Sequence, residues 1–207
     1  MQIPIKILLT GLSILLVLGC SNRPKRLAVL ENDYTAYTLT SEFGQCKVTR
    51  DFIDPVTGVR KTDLESVRLF TYTHEELKKS FTTGPFLICE SYLSRIDNKQ
   101  FLLNIDFILQ ANKILPAYSA LKEEATLILE LINGDRIVLT NINGDSGIKE
   151  GDNFIFKTIY AMSGKNLRLL RKHEINRLGI TWKGGFESYD VHEIDFFMLQ
   201  LDCFTQI

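Results

Sequence analysis

Four cysteines, three histidines and one serine set between glycines are the groups of this chain whose types suit chemistry. The cysteines, Cys20, Cys46, Cys89 and Cys203, show no Cys-x-x-Cys spacing, so neither zinc binding nor dithiol redox chemistry is expected. In an oxidising compartment two of Cys46, Cys89 and Cys203 could pair, and one must be left over. Isolated cysteines in apolar runs, such as Phe86-Leu87-Ile88-Cys89, also serve as small core residues. His74, His173 and His192 lack the i,i+4 spacing of a zinc site, so no metal is expected and solvated helix ends account for them. Gly144-Asp145-Ser146-Gly147 offers a candidate nucleophile, Ser146, which would need a histidine base and an amide hole. The same loop spaces Asn141, Asn143, Asp145 and Asp152 loosely like a calcium loop. Ser146 stands where that loop needs glycine, however, and two ligands would be neutral amides. A solvated loop between strands is the simpler reading. Trp182, Phe186 and Tyr189, beside Gly184-Gly185, either line a ligand groove or fill the core. No phosphate-cradling glycine loop or dinucleotide fingerprint occurs, so no cofactor is expected.

Cys20 closes Val17-Leu18-Gly19-Cys20, behind Lys6 and an apolar run from Ile7 to Leu18 broken by Thr10, Gly11 and Ser13. That run is short for a membrane span, which takes about 20 apolar residues. The segment resembles the secretion signal of bacterial lipoproteins, with the small Gly19 preceding the cysteine that becomes the lipidated amino terminus. The resemblance implies cleavage between Gly19 and Cys20, and a diacylglyceryl thioether plus an acylated amine on Cys20. Two or more acyl chains anchor stably where one does not, at about 0.8 kcal/mol per buried CH₂. An ordinary cleaved signal peptide is the alternative. Ser21 is not the aspartate of inner-membrane retention, and Arg23, Lys25 and Arg26 replace the acidic run of surface-exported lipoproteins. The expected address is the outer membrane, facing the periplasm. The Ser146 segment resembles the nucleophile segment of chymotrypsin-like proteases, but Ile148 stands where that family has glycine and no Ala-His-Cys surrounds any histidine.

The full chain has 207 residues and a formal charge of −1, and losing residues 1–19 removes Lys6 and no acid. So balanced a charge argues against a nucleic-acid partner, which would want a basic face. With 13 Phe, 5 Pro and no repeat, the mature chain reads as one folded body on a short tether.

Tyr34–Thr40, Cys46–Ile53, Val67–Tyr72 and Phe154–Tyr160 read as strands. In the second, Cys46, Val48, Arg50 and Phe52 alternate with Lys47, Thr49, Asp51 and Ile53, and Asp54-Pro55-Val56-Thr57-Gly58 then turns. Thr73 and Glu76 form a capping box for a helix reaching about Phe81, and Phe86–Arg95 with Gln100–Leu109 forms a hairpin. Asn133-Gly134 predicts a two-residue type I′ turn that pairs Ile132 with Asp135 and sets Leu131 opposite Arg136. Both faces of that hairpin would then be apolar and covered. Ser163 caps a helical stretch that breaks near His173 and resumes to Gly179. Thr181–Glu187 reads as a strand bent at Gly184-Gly185, and Asp190 with Glu193 caps a final helix through Ile194, Phe197, Met198 and Leu201, although Phe197, Leu199, Leu201 and Cys203 also alternate as a strand would.

The chain is thus expected to comprise a leader (1–19), a lipidated tether (20–33) and one α+β domain (34–207). The domain is a mainly antiparallel sheet of seven or eight strands with two to four short helices packed on it; a β-sandwich with peripheral helices is the alternative. The arrangement resembles small lipoproteins of Bacteroidota, a likeness resting on the lipobox, the Leu127–Leu139 hairpin and Tyr160-Ala161-Met162-Ser163, and it brings no activity. The functional expectation is a non-catalytic binding or structural domain, held to membrane lipid through Cys20 and meeting an envelope protein. The alternative is an envelope serine hydrolase using Ser146.

Overall fold

The computed structural model describes residues 37–41, 44–81, 84–97, 99–110 and 116–206, with side chains from Cys46 onward. The leader, the tether, Gly19, Cys20 and the first three residues of the strand expected over Tyr34–Thr40 lie outside these residues. Hydrophobic alternation builds two antiparallel sheets. The larger runs β1 (Tyr37–Ser41), β2 (Gly44–Ile53), β3 (Arg60–Leu64), β5 (Leu87–Ile96), β6 (Gln100–Gln110), β10 (Asn153–Met162) and β9 (Ile148–Glu150). β4 (Val67–Tyr72) also pairs with β5. The smaller runs β12 (Gly185–Asp190), β11 (Ile175–Trp182), β7 (Thr126–Leu131) and β8 (Arg136–Thr140). Two short helices, α1 (Gly164–Leu170) and α2 (Phe196–Cys203), complete a mainly antiparallel α+β fold. The larger sheet has the seven or eight strands expected, with eight, and a second sheet of four joins it.

The sheets share one core. Leu87, Leu93, Leu103, Ile105 and Leu109 of the larger belong to the same buried cluster as Leu127, Leu129, Leu178 and Ile180 of the smaller. Trp182 reaches across to Phe107, with ring centres 5.1 Å apart, and Phe70 stacks on Tyr189 at 4.6 Å. Each such side chain contributes about 1.5–3 kcal/mol by leaving water. α2 lies against β1, β2 and β5, and Cys203 on it is disulfide-bonded to Cys46 on β2. Cys89 is free and buried, as its apolar run suggests. Desolvation holds its thiol well above the ordinary range, with the charges of Asp106 and Glu90 adding.

Three one-residue shifts depart from the expected alternation. In β2 the register jumps between Val48 and Arg50, so Val48 pairs with Leu64 but Arg50 with Asp63. This bulge at Thr49 moves Arg50 off the face that buries Cys46 and Val48. In β11 the register jumps between Ile175 and Arg177. Ile175, Leu178, Ile180 and Trp182 therefore share the core face, and the spacing of three that suggested a second helix belongs to a bulged strand. In the β7–β8 hairpin Asn133 does not have positive φ, whereas Gly134 does, at 89°. Leu131 accepts from Gly134 N at 3.0 Å and donates to Asp135 O at 2.9 Å. The loop is thus a three-residue turn closed by a glycine bulge, not type I′. Leu129 consequently opposes Ile137 and Leu127 opposes Leu139, one residue from the expected register. These four side chains and Leu131 collect on one buried face, while Val138 on the other is 61 % exposed. The hairpin is covered on one side only.

Smaller corrections concern caps. The helix after Thr73 is a single 3-10 turn, Glu75–Leu77, capped by His74, while the Thr73 hydroxyl accepts from Phe86 N at 2.9 Å. Ser163 caps α1 as expected, accepting from Asn166 N at 3.2 Å, and the helix ends before His173. Thr181–Glu187 is not one bent strand but a hairpin, with Trp182 paired to Gly185. Asp190 ends β12, 3.1 Å from Arg177, and Asp195 instead occupies the cap position of α2.

Candidate functional site

Ser146 is exposed, and its neighbours are committed to structure. β9 covers only the first residues of β10, so the outer edge of β10 beyond Ile155 needs other partners. Side chains of the loop supply them. Asp145 accepts from Gly147 N at 2.8 Å and from Lys157 N at 2.5 Å. Asn143 accepts from Ile159 N at 2.7 Å and donates to Lys157 O at 2.8 Å. Asn141 donates to Lys122 O at 3.0 Å and accepts from Ile159 N at 3.2 Å. Asn141, Asn143 and Asp145, three of the four residues that suggested a calcium loop, thus complete a sheet edge. Among the described residues no histidine bonds to Ser146, and no cluster of three or more His, Cys, Asp or Glu suits a metal ion. His74 accepts from Glu76 N, and His192 donates its backbone amide to Leu69 O at 2.8 Å.

The expected aromatic group is divided by the pleat of β12. Trp182 and Tyr189 face the core, and Trp182 Nε1 donates to Tyr189 Oη at 3.0 Å. Phe186, an odd number of residues from Tyr189, is on the opposite face and 55 % exposed, its ring over Gly179. These three residues form no common groove. The Glu187 carboxylate instead gathers two phenols, accepting from Tyr118 Oη at 2.8 Å and from Tyr189 Oη. Desolvation, then the bond and charge of Glu187, hold both hydroxyls far above the ordinary tyrosine range. Desolvation also pushes Tyr160 up to about 12. Unfolded phenols release their protons near pH 10. The native chain keeps them, so this part of its stability is intact below about pH 10 and is lost as pH rises further. We expect these tyrosines to ionise in one step with alkaline unfolding, read by absorbance at 295 nm beside circular dichroism. Smooth titration near pH 10 in a still-folded protein would contradict the network.

The groove that emerges from the geometry lies elsewhere, on the face of the larger sheet turned away from the core. β3 pairs with Ser94–Ile96 of β5 and β4 with Leu87–Ser91, so the sheet is broken opposite Tyr92 and Leu93. The chain crosses the break through Glu65-Ser66. On the core side Gln200 of α2 plugs it: Leu93 N donates to Gln200 Oε1 at 2.7 Å, and Gln200 Nε2 donates to Glu65 O at 2.8 Å. On the outer side the break opens into a groove of about 220 Å³ lined by Thr49, Arg50, Asp63, Leu64, Ser66 and Tyr92.

Asp63, only 3 % exposed, forms the floor of this groove. Its Oδ1 accepts from Ser94 Oγ at 2.6 Å and lies 3.5 Å from Lys61 Nζ. Ser94 Oγ in turn accepts from Asn104 Nδ2 at 2.8 Å, which fixes the hydroxyl as the donor to Asp63. Asp63 Oδ2 is 3.8 Å from Arg50 Nε, an ion pair too long for a hydrogen bond. Desolvation, with the charges of Asp63 and Asp106, raises the Tyr92 hydroxyl to about 12, opposed by Arg50. The arrangement can offer a ligand an acceptor, several donors and an aromatic face.

None of these lining residues is a sequence-level candidate. Asp63 sits in Arg60-Lys61-Thr62-Asp63-Leu64, which has no apolar alternation, and Arg50 reaches the groove only through the bulge at Thr49. Set against known protein families, curated protein sequences and solved structures, the chain matches none.

Proposed function

We propose that the protein is a lipid-anchored domain of the cell envelope that binds a ligand or partner without transforming it, facing the periplasm from the outer membrane. The observation that carries this reading is the Cys46–Cys203 disulfide, in a chain whose segment Val17–Cys20 resembles a lipobox. Disulfides persist in oxidising compartments, and the lipobox-like leader directs export to one. No helix among the described residues is long and apolar enough to cross a membrane. Binding is supported by the groove at the sheet break. The Ser146 loop has less to offer, since its carboxylate and amides already serve the backbone of β10.

Fractionation of cells producing the protein tests the address. The native chain is expected to sediment with membranes, and Cys20→Ser to accumulate unprocessed or to lose its acyl label. A Cys20→Ser chain that takes up radiolabelled palmitate like the native protein would overturn the proposal.

A further inference from the structure

We infer that the groove at the sheet break is a carbohydrate subsite, which takes a sugar ring through adjacent hydroxyls. This deepens the reading of the domain as a binding module and rests on it. The chemistry of the lining selects the ligand class. Asp63 Oδ2 can only accept, and the Arg50 guanidinium 3.8 Å away can only donate. A hydroxyl does both, so one hydroxyl seated between them donates to Asp63 and accepts from Arg50. Tyr92, whose hydroxyl bonds no other side chain among the described residues, presents a further donor and acceptor to a neighbouring hydroxyl, and its ring offers an apolar face to sugar C–H groups. Ser66 adds a hydroxyl at the exposed rim, and Thr49 Oγ1, which donates to Asp63 O at 3.3 Å and Leu64 O at 3.2 Å, adds an acceptor.

The mixed charges weigh against a simple ion. A bound cation would meet Lys61 and Arg50, both already beside Asp63. A bound anion would meet the Asp63 carboxylate at the floor, held there by Ser94. A neutral ligand with paired donor and acceptor groups meets neither penalty. Size agrees: about 220 Å³ admits one ring, and the exposed rim leaves room for a chain to continue. The bulge at Thr49 and the plug at Gln200 hold this geometry on strands rather than on a loop.

The test is titration of the detergent-solubilised full-length protein with glucose, galactose and N-acetylglucosamine, followed by amide chemical shifts. Inorganic phosphate and methylammonium serve as control probes. At least one sugar is expected to shift the amides of Thr49, Ser66 and Tyr92. Its binding should weaken about tenfold to a hundredfold in Arg50→Gln, the loss of one charged hydrogen bond, and less in Tyr92→Phe. Both side chains lie at the groove surface, so these variants stay informative if Asp63→Asn does not fold. Shifts by phosphate or methylammonium alone, sugar binding unchanged in Arg50→Gln, or no shift with any sugar would each overturn the inference. If no sugar binds while Cys20 carries lipid, the subsite fails and the tethered domain stands. Sugar binding by a protein whose Cys20 carries no lipid would show the opposite, a subsite without the tether.

Discussion

Replacing Cys46 and Cys203 together by alanine is expected to lower the unfolding free energy by up to about 5 kcal/mol, the chain-entropy value for so long a loop. The bond joins residues 157 apart, closing almost the whole described chain. It holds α2, the last element, against β2 near the start of the larger sheet. For a domain of this size such a loss corresponds to roughly 10–20 °C in Tm. Thermal unfolding with and without reductant measures it, and reduction of the native protein should reproduce the double variant. The thiol of Cys89, buried and held in its protonated form, should react with alkylating reagents only as the chain unfolds. A double variant melting with the native protein would mean that the link does not constrain the fold.

Gln200→Leu is the second large effect, expected at about 2–5 kcal/mol. Gln200 is 6 % exposed and stands in for a missing strand, bonding Leu93 N and Glu65 O where β3 gives way to β4. Leucine fills the space but leaves the buried Leu93 amide and the part-buried Glu65 carbonyl without partners. Gln206→Ala, on the exposed last turn, is the control and should stay within about 0.5 kcal/mol of the parent. Urea unfolding gives the comparison. Because Gln200 also shapes the inner wall of the break, Gln200→Leu should broaden the amide signals of Tyr92 and Ser66 before global unfolding. Equal stability of Gln200→Leu and the native chain would show that the break is held some other way.

Both effects arise from features that a period-two reading of the sequence passes over. The β5–β6 hairpin is legible because Phe101, Leu103, Ile105, Phe107 and Leu109 alternate without interruption and all enter the core. β3 is not, because in Arg60-Lys61-Thr62-Asp63 the pairing is held by polar contacts: Arg60 donates to Asp51 at 2.6 and 2.9 Å, and Ser94 to Asp63 at 2.6 Å. Elsewhere one inserted residue changes the parity of all that follows. At Thr49 it turns Arg50 outward, at Asn176 it gives a strand the spacing of a helix, and at Gly134 it moves the β7–β8 register by one. The groove owes its existence to the first of these shifts together with the strand exchange at Glu65-Ser66. Neither leaves a compositional mark. The proposed lipid attachment at Cys20 is the reverse case, resting entirely on local sequence.

Mass spectrometry of the protein taken from membranes of cells that produce it tests the tethered, exported domain most directly. The account predicts a chain that begins at Cys20, bears acyl groups on that residue, and yields a Cys46–Cys203 linked peptide with Cys89 as the free thiol. A chain that still begins at Met1, with an unmodified Cys20 and Cys46 and Cys203 both reduced, would contradict it.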